Sequence, residues 1–423
     1  MASSAKVTAP RGTADVLPAD SWKWQTVERI ARETASLYHF SEIRTPVFEH
    51  TELFHRGVGE ASDIVNKEMY TFEDRGGRAI TLRPEGTAGV VRAAIEHNLV
   101  AQEGARLKVF YIVPNFRYER PQAGRLRIHH QFGAEAFGAP EPEQDVECIL
   151  LQLDFYRRCG LKDLQLRINS LGDRESKQRF AAHIVDYLTP QKGMLSEDSQ
   201  RRLEQNPLRI LDSKDPRDQE STGKLFGLEF LSDKSKAHLD RVQKLLNDAG
   251  VKYQVDGKLV RGFDYYTETL WEVTAGGLGA QNAVGGGGRY DNLVEQLGGK
   301  PTPGVGFGSG LERLLLALEA QGVALPRPRG HLVWLVAHGD AARDYNWKLM
   351  ADLRGAGIPC DMDPSGRSVK SQFKVADREG AAACVIVGET EMSAGTVVVK
   401  NLKTAEQTTV AREALIGHLR AMN

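Results

Sequence analysis

Residues 259–271 read Leu-Val-Arg-Gly-Phe-Asp-Tyr-Tyr-Thr-Glu-Thr-Leu-Trp, with a cluster of polar and aromatic side chains between two apolar stretches. Arg261, Asp264, Tyr265 and Tyr266 fall on a predicted turn there. A guanidinium can neutralise an anion, and two neighbouring tyrosines can shape a small polar pocket. The segment is therefore a candidate site for a small ligand that carries an anionic group.

Two further arginines point to phosphate chemistry. Arg117 follows a predicted strand and opens a basic loop, and arginines hold phosphate oxygens in bidentate geometry. Arg313 lies in the first turn of an apolar helix, where a cation opposes the helix dipole and an anionic partner is expected. The loop alone would be interpreted as a solvated basic hairpin, but both arginines together predict a nucleotide phosphate site.

The residues before that helix, 304–310, read Gly-Val-Gly-Phe-Gly-Ser-Gly. Glycines at a helix N-terminus can present amide N–H groups to a phosphate. Their spacing matches neither a Rossmann fingerprint nor a P-loop, and the alternative is a tight strand-to-helix turn.

Carboxylate and amide side chains suggest a second part of the site. Glu85 lies in a turn stiffened by Pro and Gly, while Gln131 and Glu135 are four residues apart on a predicted strand and share one face. The three would suit a ligand that donates hydrogen bonds, although a solvent-facing strand edge is the alternative. His129 and His130 are adjacent, so they face opposite sides, and packing or nucleotide contact is expected rather than a metal site.

The elements that would position these residues follow from periodicity and turn signals. Residues 21–38 predict a helix, 41–48 an extended segment, and strands at 109–113 and 128–137 form a long hairpin around the basic loop. A polar helical region at 172–256, bounded by strand-like 164–168 and 259–260, is predicted to be an insertion. Beyond a linker at 326–330, strands and helices alternate, which predicts an α/β domain with a mostly parallel sheet: strands 331–337, 358–362, 382–387 and 396–400, and helices 341–354, 369–379 and 411–422.

Composition sets broad limits. The 423 residues are 41% hydrophobic and 26% charged, as in an ordinary globular protein of two or three domains. No apolar run approaches the roughly 20 residues of a membrane span, and the N-terminus lacks the apolar core of a signal peptide. Four scattered cysteines without Cys-x-x-Cys spacing suggest neither zinc nor disulfides and favour a reducing cytoplasm. The net charge of −1 gives no global attraction to nucleic acid.

Taken in order, these segments resemble those of histidyl-tRNA synthetases over nearly the whole chain. The resemblance begins at residues 11–18, Arg-Gly-Thr-Ala-Asp-Val-Leu-Pro, and its catalytic part ends with residues 287–291 and 304–313. Between these lie residues 67–74, 82–87 and 116–122. The Arg117 and Arg313 segments indicate class II aminoacyl-tRNA synthetases, and residues 259–266 indicate histidine. Phe263 stands where many relatives have Leu, and Asn292 where Gly is common.

The resemblance implies an α+β catalytic domain at 1–325 with an antiparallel six-stranded sheet of the class II synthetase fold. It further implies a helical insertion at 173–255 and a C-terminal α/β anticodon-binding domain at 331–423. The implied activity is that of a cytoplasmic histidine–tRNA ligase without membrane association. It would form histidyl-adenylate and pyrophosphate from L-histidine and ATP with Mg²⁺, then charge tRNA(His), and would act as a homodimer.

Residue roles carried over from the resemblance fall into three groups. The histidine-binding group is Glu85, Gly86, Thr87, Arg117, Gln131, Glu135, Arg261, Tyr265 and Tyr266. The ATP-binding group is Arg117, Glu119, Arg125 and Arg313. The catalytic group is Arg117, Arg261 and Arg313, and no protein ligands are assigned to the metal.

Three other functions remain as alternatives. Some synthetase-like proteins are regulatory subunits of ATP phosphoribosyltransferase, but these usually lack the C-terminal domain and parts of the Arg261 or Arg313 segments. A class II synthetase for proline, threonine or glycine would not carry residues 259–266. An RNA-binding module built on residues 331–423 has no basic signature, since that segment holds eleven basic and eleven acidic residues. A clamp on the tRNA acceptor stem is hypothesised for the insertion, so deleting 173–255 is expected to spare adenylate formation and weaken tRNA charging.

Overall fold

The structure, a computed structural model, describes residues 6–59, 62–100, 102, 104–279, 282–326 and 332–422. The chain forms two compact units, Met1–Pro326 and Arg327–Asn423. The linker predicted at 326–330 falls almost entirely outside the described residues.

The first unit combines a large sheet, a small sheet and helices. Its strands are β1 (Ser41–Glu42), β2 (Phe48–His50), β3 (Tyr70–Glu73), β4 (Ala79–Leu82), β5 (Leu107–Phe116), β6 (Ile128–Phe137), β7 (Leu164–Ser170), β8 (Tyr253–Val255), β9 (Thr267–Ala275), β10 (Ala283–Arg289) and β11 (Gly304–Gly310). Its helices are α1 (Pro18–Leu37), α2 (Thr51–Val58), α3 (Thr87–Glu96), α4 (Pro142–Arg158), α5 (Arg174–Leu188), α6 (Glu197–Gln205), α7 (Pro216–Ser221), α8 (Asp233–Asp248), α9 (Leu293–Gln296) and α10 (Leu311–Ala320).

The large sheet has the strand order β1-β5-β6-β11-β10-β9-β7-β8 among the described residues. Its six central strands, β5 to β7 in that order, are antiparallel throughout, as the class II fold implies. The count of six was too low for the whole sheet, because β1 and β8 add in parallel at its two edges. Strand β1 is the first two residues of the extended segment expected at 41–48, whereas β8 is three residues long and too short to leave a pattern in the sequence.

The long hairpin of β5 and β6 pairs over its full length, from Leu107 opposite Phe137 to Phe116 opposite Ile128. Helix α4 covers one face of the sheet and has proline at its start and acidic residues in its first turn, as helix N-termini favour. Its buried Asp145 accepts hydrogen bonds from Arg289 of β10, His238 of α8 and Thr269 of β9. This buried network ties the sheet to α4 and to the insertion.

The helical insertion occupies the chain between β7 and β9 and contains α5 to α8 and β8. Serine or aspartate side chains cap α5, α6, α7 and α8, since each accepts a hydrogen bond from an early amide of its helix. The strand expected at 259–260 was wrong: these residues are buried in a loop, and β8 lies just before them.

The second unit is an α/β domain. Its strands are β12 (Val333–Ala337), β13 (Cys360–Met362), β14 (Ala383–Val387), β15 (Thr396–Asn401) and β16 (Gln407–Ala411), and its helices are α11 (Asp340–Gly355), α12 (Val369–Arg378), α13 (Glu389–Ala394) and α14 (Leu415–Ala421). The expectation of a mostly parallel sheet was half right, because β15 and β16 pair antiparallel. The sequence interpretation missed β16, whose polar Gln-Thr-Thr run has few buried residues, and therefore began the last helix too early.

Candidate functional site

A cavity of about 940 Å³ opens where the basic loop, the ends of β10 and β11 and the insertion meet. Such a volume suits a ligand of nucleotide size. Half of the residues predicted for the site lie on its wall: Arg117, Glu119, Arg125, Gln131, Arg261 and Arg313. Eight basic and seven acidic side chains line the cavity, so its positive charge is local to the arginines and is not a property of the whole wall.

Arg117 begins the basic loop directly after β5. Its Nε donates to the carbonyl oxygen of Pro84 at 2.8 Å, and its guanidinium lies 5.5 Å from the centre of the Phe263 ring. Glu119 lies between two arginines, with oxygens 3.9 Å from an Arg117 nitrogen and 3.5 Å from an Arg125 nitrogen. The contacts with Pro84 and Glu119 hold Arg117 in place. Because a guanidinium has five N–H donors, Arg117 can still bind a ligand.

Arg261 lies in the loop that follows the insertion. It donates to Glu272 at 2.9 Å, and the second oxygen of Glu272 is 3.5 Å from Arg167. A Cβ on Gly286 would lie 3.1 Å from the Arg261 guanidinium carbon, so the glycine in β10 gives the guanidinium room to pack on the sheet. Glu272 holds Arg261 at the cavity wall and partly balances its charge.

Arg313 lies in the first turn of α10, as predicted. Its Nε donates to the carbonyl oxygen of Ala283 at 2.5 Å. Burial and the nearby Arg125 both lower its pKa. Two cations brought together at the helix N-terminus repel each other, so an anion between them would be stabilised.

The glycine-rich segment is the strand β11, which runs directly into α10, so the strand-to-helix alternative describes it better than a phosphate-binding turn. Its backbone pairs with β6 and β10, so its amide groups do not form a phosphate cradle. The glycines instead leave room for side chains of β6: a Cβ on Gly306 would lie 1.7 Å from a Glu135 oxygen, and one on Gly308 would lie 1.9 Å from the Gln131 amide nitrogen.

Glu135 is the centre of a buried polar cluster. Its Oε1 accepts from Thr87 at 2.7 Å and from Tyr111 at 2.9 Å, and its Oε2 accepts from Tyr290. Burial raises the pKa of Glu135 to about 8, and the negative charge of Glu85 acts in the same direction. The hydrogen bonds from the three hydroxyl groups lower the pKa and offset the rise only in part.

Glu85 and Gly86 form the turn that leads into α3. The carboxylate of Glu85 accepts from the amides of Thr87 at 2.9 Å and Ala88 at 2.7 Å, so it caps the helix, and burial raises its pKa. A Cβ on Gly86 would lie 2.4 Å from the Tyr111 ring, so the turn packs directly against that tyrosine.

Gln131, Gly133 and Glu135 share one face of β6, as the alternation predicted. Gln131 accepts from the side-chain amide of Asn115 at 3.0 Å. A Cβ on Gly133 would lie 2.2 Å from the Tyr111 ring, so the glycine leaves room for a side chain. The room expected beside Gly133 is thus filled by Tyr111.

Tyr265 and Tyr266 are buried in an aromatic cluster. The Tyr265 ring is stacked on Phe263, with ring centres 5.2 Å apart, and meets the Tyr290 ring edge-on at 5.6 Å. Burial raises the pKa of Tyr266 to about 12 and that of Tyr265 well above its usual range, so both hydroxyls stay protonated. These tyrosines lie with Glu85, Thr87 and Glu135 in a buried layer.

The two adjacent histidines face different surroundings, as predicted. His129 lies on the cavity wall, and burial, with the charges of Arg117 and His130, lowers its pKa to about 3. His130 contacts the Glu312 carboxylate at 2.9 Å and the Trp24 ring edge-on. His129 is therefore neutral at pH 7, and His130 has a packing role.

Sequence reasoning missed four residues that support this site: Tyr111, Asn115, Glu272 and Tyr290. Tyr290 lay within the quoted segment 287–291 but received no role, and Tyr111 faces Gly133 across the hairpin. Register could have indicated Tyr111, whereas the partnership of Glu272 with Arg261 depends on how a loop folds against β9.

The described residues contain no group of three or more His, Cys, Asp or Glu side chains that could hold a metal ion. All four cysteines are buried and unbridged. Of the helices that the structure describes, none has the length and apolar character to cross a bilayer.

Comparison with known proteins gives matches along the chain. A family model for histidyl-tRNA synthetase matches residues 12–172 and 222–314, and an anticodon binding domain model matches 332–422. A histidine–tRNA ligase of Bacillus velezensis is 48% identical over 416 residues, covering 97% of this chain and 98% of that protein. One of Thermosynechococcus vestitus is 50% identical over 410 residues, covering 97% and 95%. The crystal structure of apo histidyl-tRNA synthetase from S. aureus superposes with a TM-score of 0.83 at 38% identity, covering 98% of this chain and all of that one.

Proposed function

The chain belongs to the histidyl-tRNA synthetase family, and from this premise we propose that the cavity and the buried layer beside it are where histidine and ATP react. The activity of the chain is that of an ATP-dependent histidine–tRNA ligase. Its second unit belongs to the anticodon-binding domains. The observation that carries the proposed site is the meeting of Arg117, Arg261 and Arg313 on one cavity wall.

Histidine is proposed to bind between the wall and the buried layer. Arg261 would hold its carboxylate, because the guanidinium is already oriented by Glu272. Glu135 and the hydroxyls of Tyr265 and Tyr266 would pair with the two imidazole nitrogens. An apolar analogue would leave those buried groups unpaired, which penalises it by about 10⁴-fold where such a site is well built. Glu85, Gly86, Thr87 and Gln131 complete the proposed pocket.

ATP is proposed to lie along the part of the wall that carries Arg117, Arg125 and Arg313. Arg117 would contact the α-phosphate, Glu119 the adenine, and Arg125 and Arg313 the outer phosphates. The pairing of Glu119 with both Arg117 and Arg125 supports this, because it holds the ends of the loop over the cavity.

The adenylation step needs no general base. The histidine carboxylate is ionised at pH 7, since an α-carboxyl group has a pKa of about 3.5. It attacks the α-phosphorus in line, and pyrophosphate leaves from the opposite side. The proposed work of Arg117, Arg261 and Arg313 is to align the two substrates and to balance the charge that accumulates on the phosphoryl oxygens. The terminal ribose hydroxyl of tRNA then attacks the acyl carbon and releases AMP.

Mg²⁺ is proposed to arrive with the nucleotide. Mg²⁺ is usually held by substrate phosphates, water and one or two carboxylates. A dispersed set of acidic side chains fits that mode better than a closed cage. Glu119 and Glu272 are the carboxylates beside the arginines on the cavity wall that could complete its shell, and the ion would withdraw charge from the phosphates.

A cytoplasmic homodimer that charges tRNA(His) is the proposed working form. The small sheet β2-β4-β3 is the surface proposed to contact the partner subunit, because Phe48 and Phe72 are both exposed on it. We also propose the domain limits 1–325, 173–255 for the insertion, and 331–423.

The test is amino-acid-dependent ATP–pyrophosphate exchange without tRNA, with all twenty amino acids supplied singly. Exchange is expected with histidine alone. Arg261→Ala should lower kcat/KM for histidine by about 10- to 100-fold, because it removes a charge-assisted hydrogen bond. Arg241→Ala, at an exposed arginine of α8 paired with Glu143, is the matched control and should leave exchange unchanged.

Exchange with another amino acid would mean that the pocket is wrongly assigned. Histidine binding without any exchange would favour the regulatory-subunit alternative instead.

A further inference from the structure

The insertion holds the backbone of the loop that carries the two site tyrosines, here named the tyrosine loop (residues 261–266). Lys177 of α5 is half-buried, and its ammonium donates to the carbonyl oxygens of Asp264 at 2.6 Å and Tyr266 at 3.0 Å. These carbonyls lie on either side of Tyr265. Lys177 of the insertion therefore links the backbone on both sides of Tyr265, a residue of the proposed histidine pocket.

A second contact from the insertion reaches the same loop. The Asn206 side-chain amide donates to Asp264 Oδ1 at 2.5 Å. On the other side, a Cβ on Gly59 would lie 2.7 Å from Asp264 Oδ2, so the end of α2 encloses the same carboxylate. Asp264 is thus held between the insertion and the body of the unit.

The cost of placing Lys177 there indicates that the contact matters. Burial lowers its pKa, although the nearby Asp264 acts in the opposite direction. A lysine that covered the surface for solubility would keep its ammonium in water. Here two carbonyl oxygens replace water as hydrogen-bond acceptors for the ammonium, so Lys177 holds the backbone of the tyrosine loop in place.

We propose that Lys177 is a positioning residue for amino-acid activation, which acts by holding the tyrosine loop so that Tyr265 and Tyr266 meet histidine. The insertion is then part of the activation site, whatever its contacts with tRNA. This rests on the proposed histidine site. It also opposes the hypothesis that deleting 173–255 spares adenylate formation, since the deletion removes Lys177 and Asn206.

The test uses the full chain and histidine-dependent ATP–pyrophosphate exchange without tRNA. Lys177→Met keeps most of the side chain and removes the donors. Its KM for histidine should rise about tenfold, the loss expected for a charged hydrogen-bond donor, while its KM for ATP stays near the wild-type value. Asn206→Ala removes the second contact from a half-buried position and should raise the same KM by a smaller factor. It decides the matter if Lys177→Met does not fold.

Asp218→Asn separates positioning from loss of insertion structure. Asp218 is buried within the insertion and accepts hydrogen bonds from Ser196, Ser199 and Ser213. The variant should lower the thermal midpoint while leaving the KM for histidine unchanged. An unchanged KM in both loop-contact variants would overturn the proposal, as would an equal rise in Asp218→Asn.

Tyr265→Phe shows which proposal has failed. If it leaves the KM for histidine unchanged, the histidine site itself is wrongly placed. If it raises that KM while the Lys177 and Asn206 variants do not, only the positioning role is wrong.

Discussion

Glu135 is a carboxylate held in the core by hydroxyl groups alone. Thr87, Tyr111 and Tyr290 donate to it, and its nearest charged neighbour in the buried layer is another acid, Glu85. The groups that act on its pKa are these hydroxyls and Glu85, with no cation among them in the part of the chain that the structure describes. Its raised pKa therefore makes the protonation of Glu135 depend on pH near neutrality.

The free energy of unfolding should depend on the protonation of Glu135. Burial raises the pKa of Glu135 from 4.5 to about 8, so between these values the folded chain holds a proton that the unfolded chain has released. The free energy of unfolding then decreases as pH rises through this window. Glu135→Gln removes the titrating group, so wild type should lose stability relative to the variant between about pH 5 and pH 8. Thermal unfolding at several pH values measures the difference.

Glu143→Gln is the matched control, because Glu143 is exposed and paired with Arg241, which lowers its pKa. It should leave the slope between pH 5 and 8 as in wild type. An identical slope in Glu135→Gln would show that Glu135 is ionised throughout.

At the scale of elements, strands β10 and β11 are built from glycine because side chains of their neighbours occupy the space above them. Gly306 and Gly308 lie against Glu135 and Gln131, and Gly286 lies against Arg261. A sheet normally gains stability from β-branched and aromatic side chains. The glycines of β10 and β11 lack that stabilisation, but they leave room for the side chains of the proposed site.

Gly306→Ala should therefore disturb both stability and the site. The added methyl carbon would lie 1.7 Å from the Glu135 carboxylate, so the side chain or the strand must move. Overpacking of this kind costs about 1–3 kcal/mol. Urea unfolding should show that loss, and exchange assays should show weaker use of histidine.

Gly310→Ala is the control on the same strand for the stability measurement. Its Cβ would meet Arg313 at 3.7 Å, an ordinary contact, and its φ of −75° suits alanine. Equal losses in the two variants would attribute the effect to glycine in β11 generally and not to Glu135.

The whole molecule consists of two compact units, each with a separate hydrophobic core. The residues proposed to act on histidine and ATP all belong to the first unit. A core that is complete within one unit can fold without the other.

A chain truncated after Pro326 should therefore keep histidine-dependent pyrophosphate exchange while charging tRNA at least about tenfold less well, since anticodon contacts are lost. Aminoacylation of tRNA and exchange, measured on the same preparation, test this. Loss of exchange in a truncated chain that remains folded would mean that activation requires the second unit.

The sequence alone was enough for the family, for several long elements and for the arginines of the wall, whereas α2, α3 and α4 were not predicted. It succeeded where the information is local: Gln131, Gly133 and Glu135 share a face because strand side chains alternate, and Arg313 lies in the first turn of α10. Long periodic elements such as α1 and β6 were likewise predicted closely, and β6 had the predicted limits.

Tertiary structure decided what the short and non-local features do. Strands β8 and β16 form because a neighbouring strand is present to pair with them, and their own sequences carry little signal. The glycines of residues 304–310 allowed either a phosphate-binding turn or a strand-to-helix turn, and pairing with β6 and β10 decided for a strand that leads into α10. Lys177 contacts Tyr266 across 89 positions of sequence, and no periodicity encodes such a pair. Local spacing fixes which side chains share an element, but the meeting of distant elements depends on how the whole chain packs.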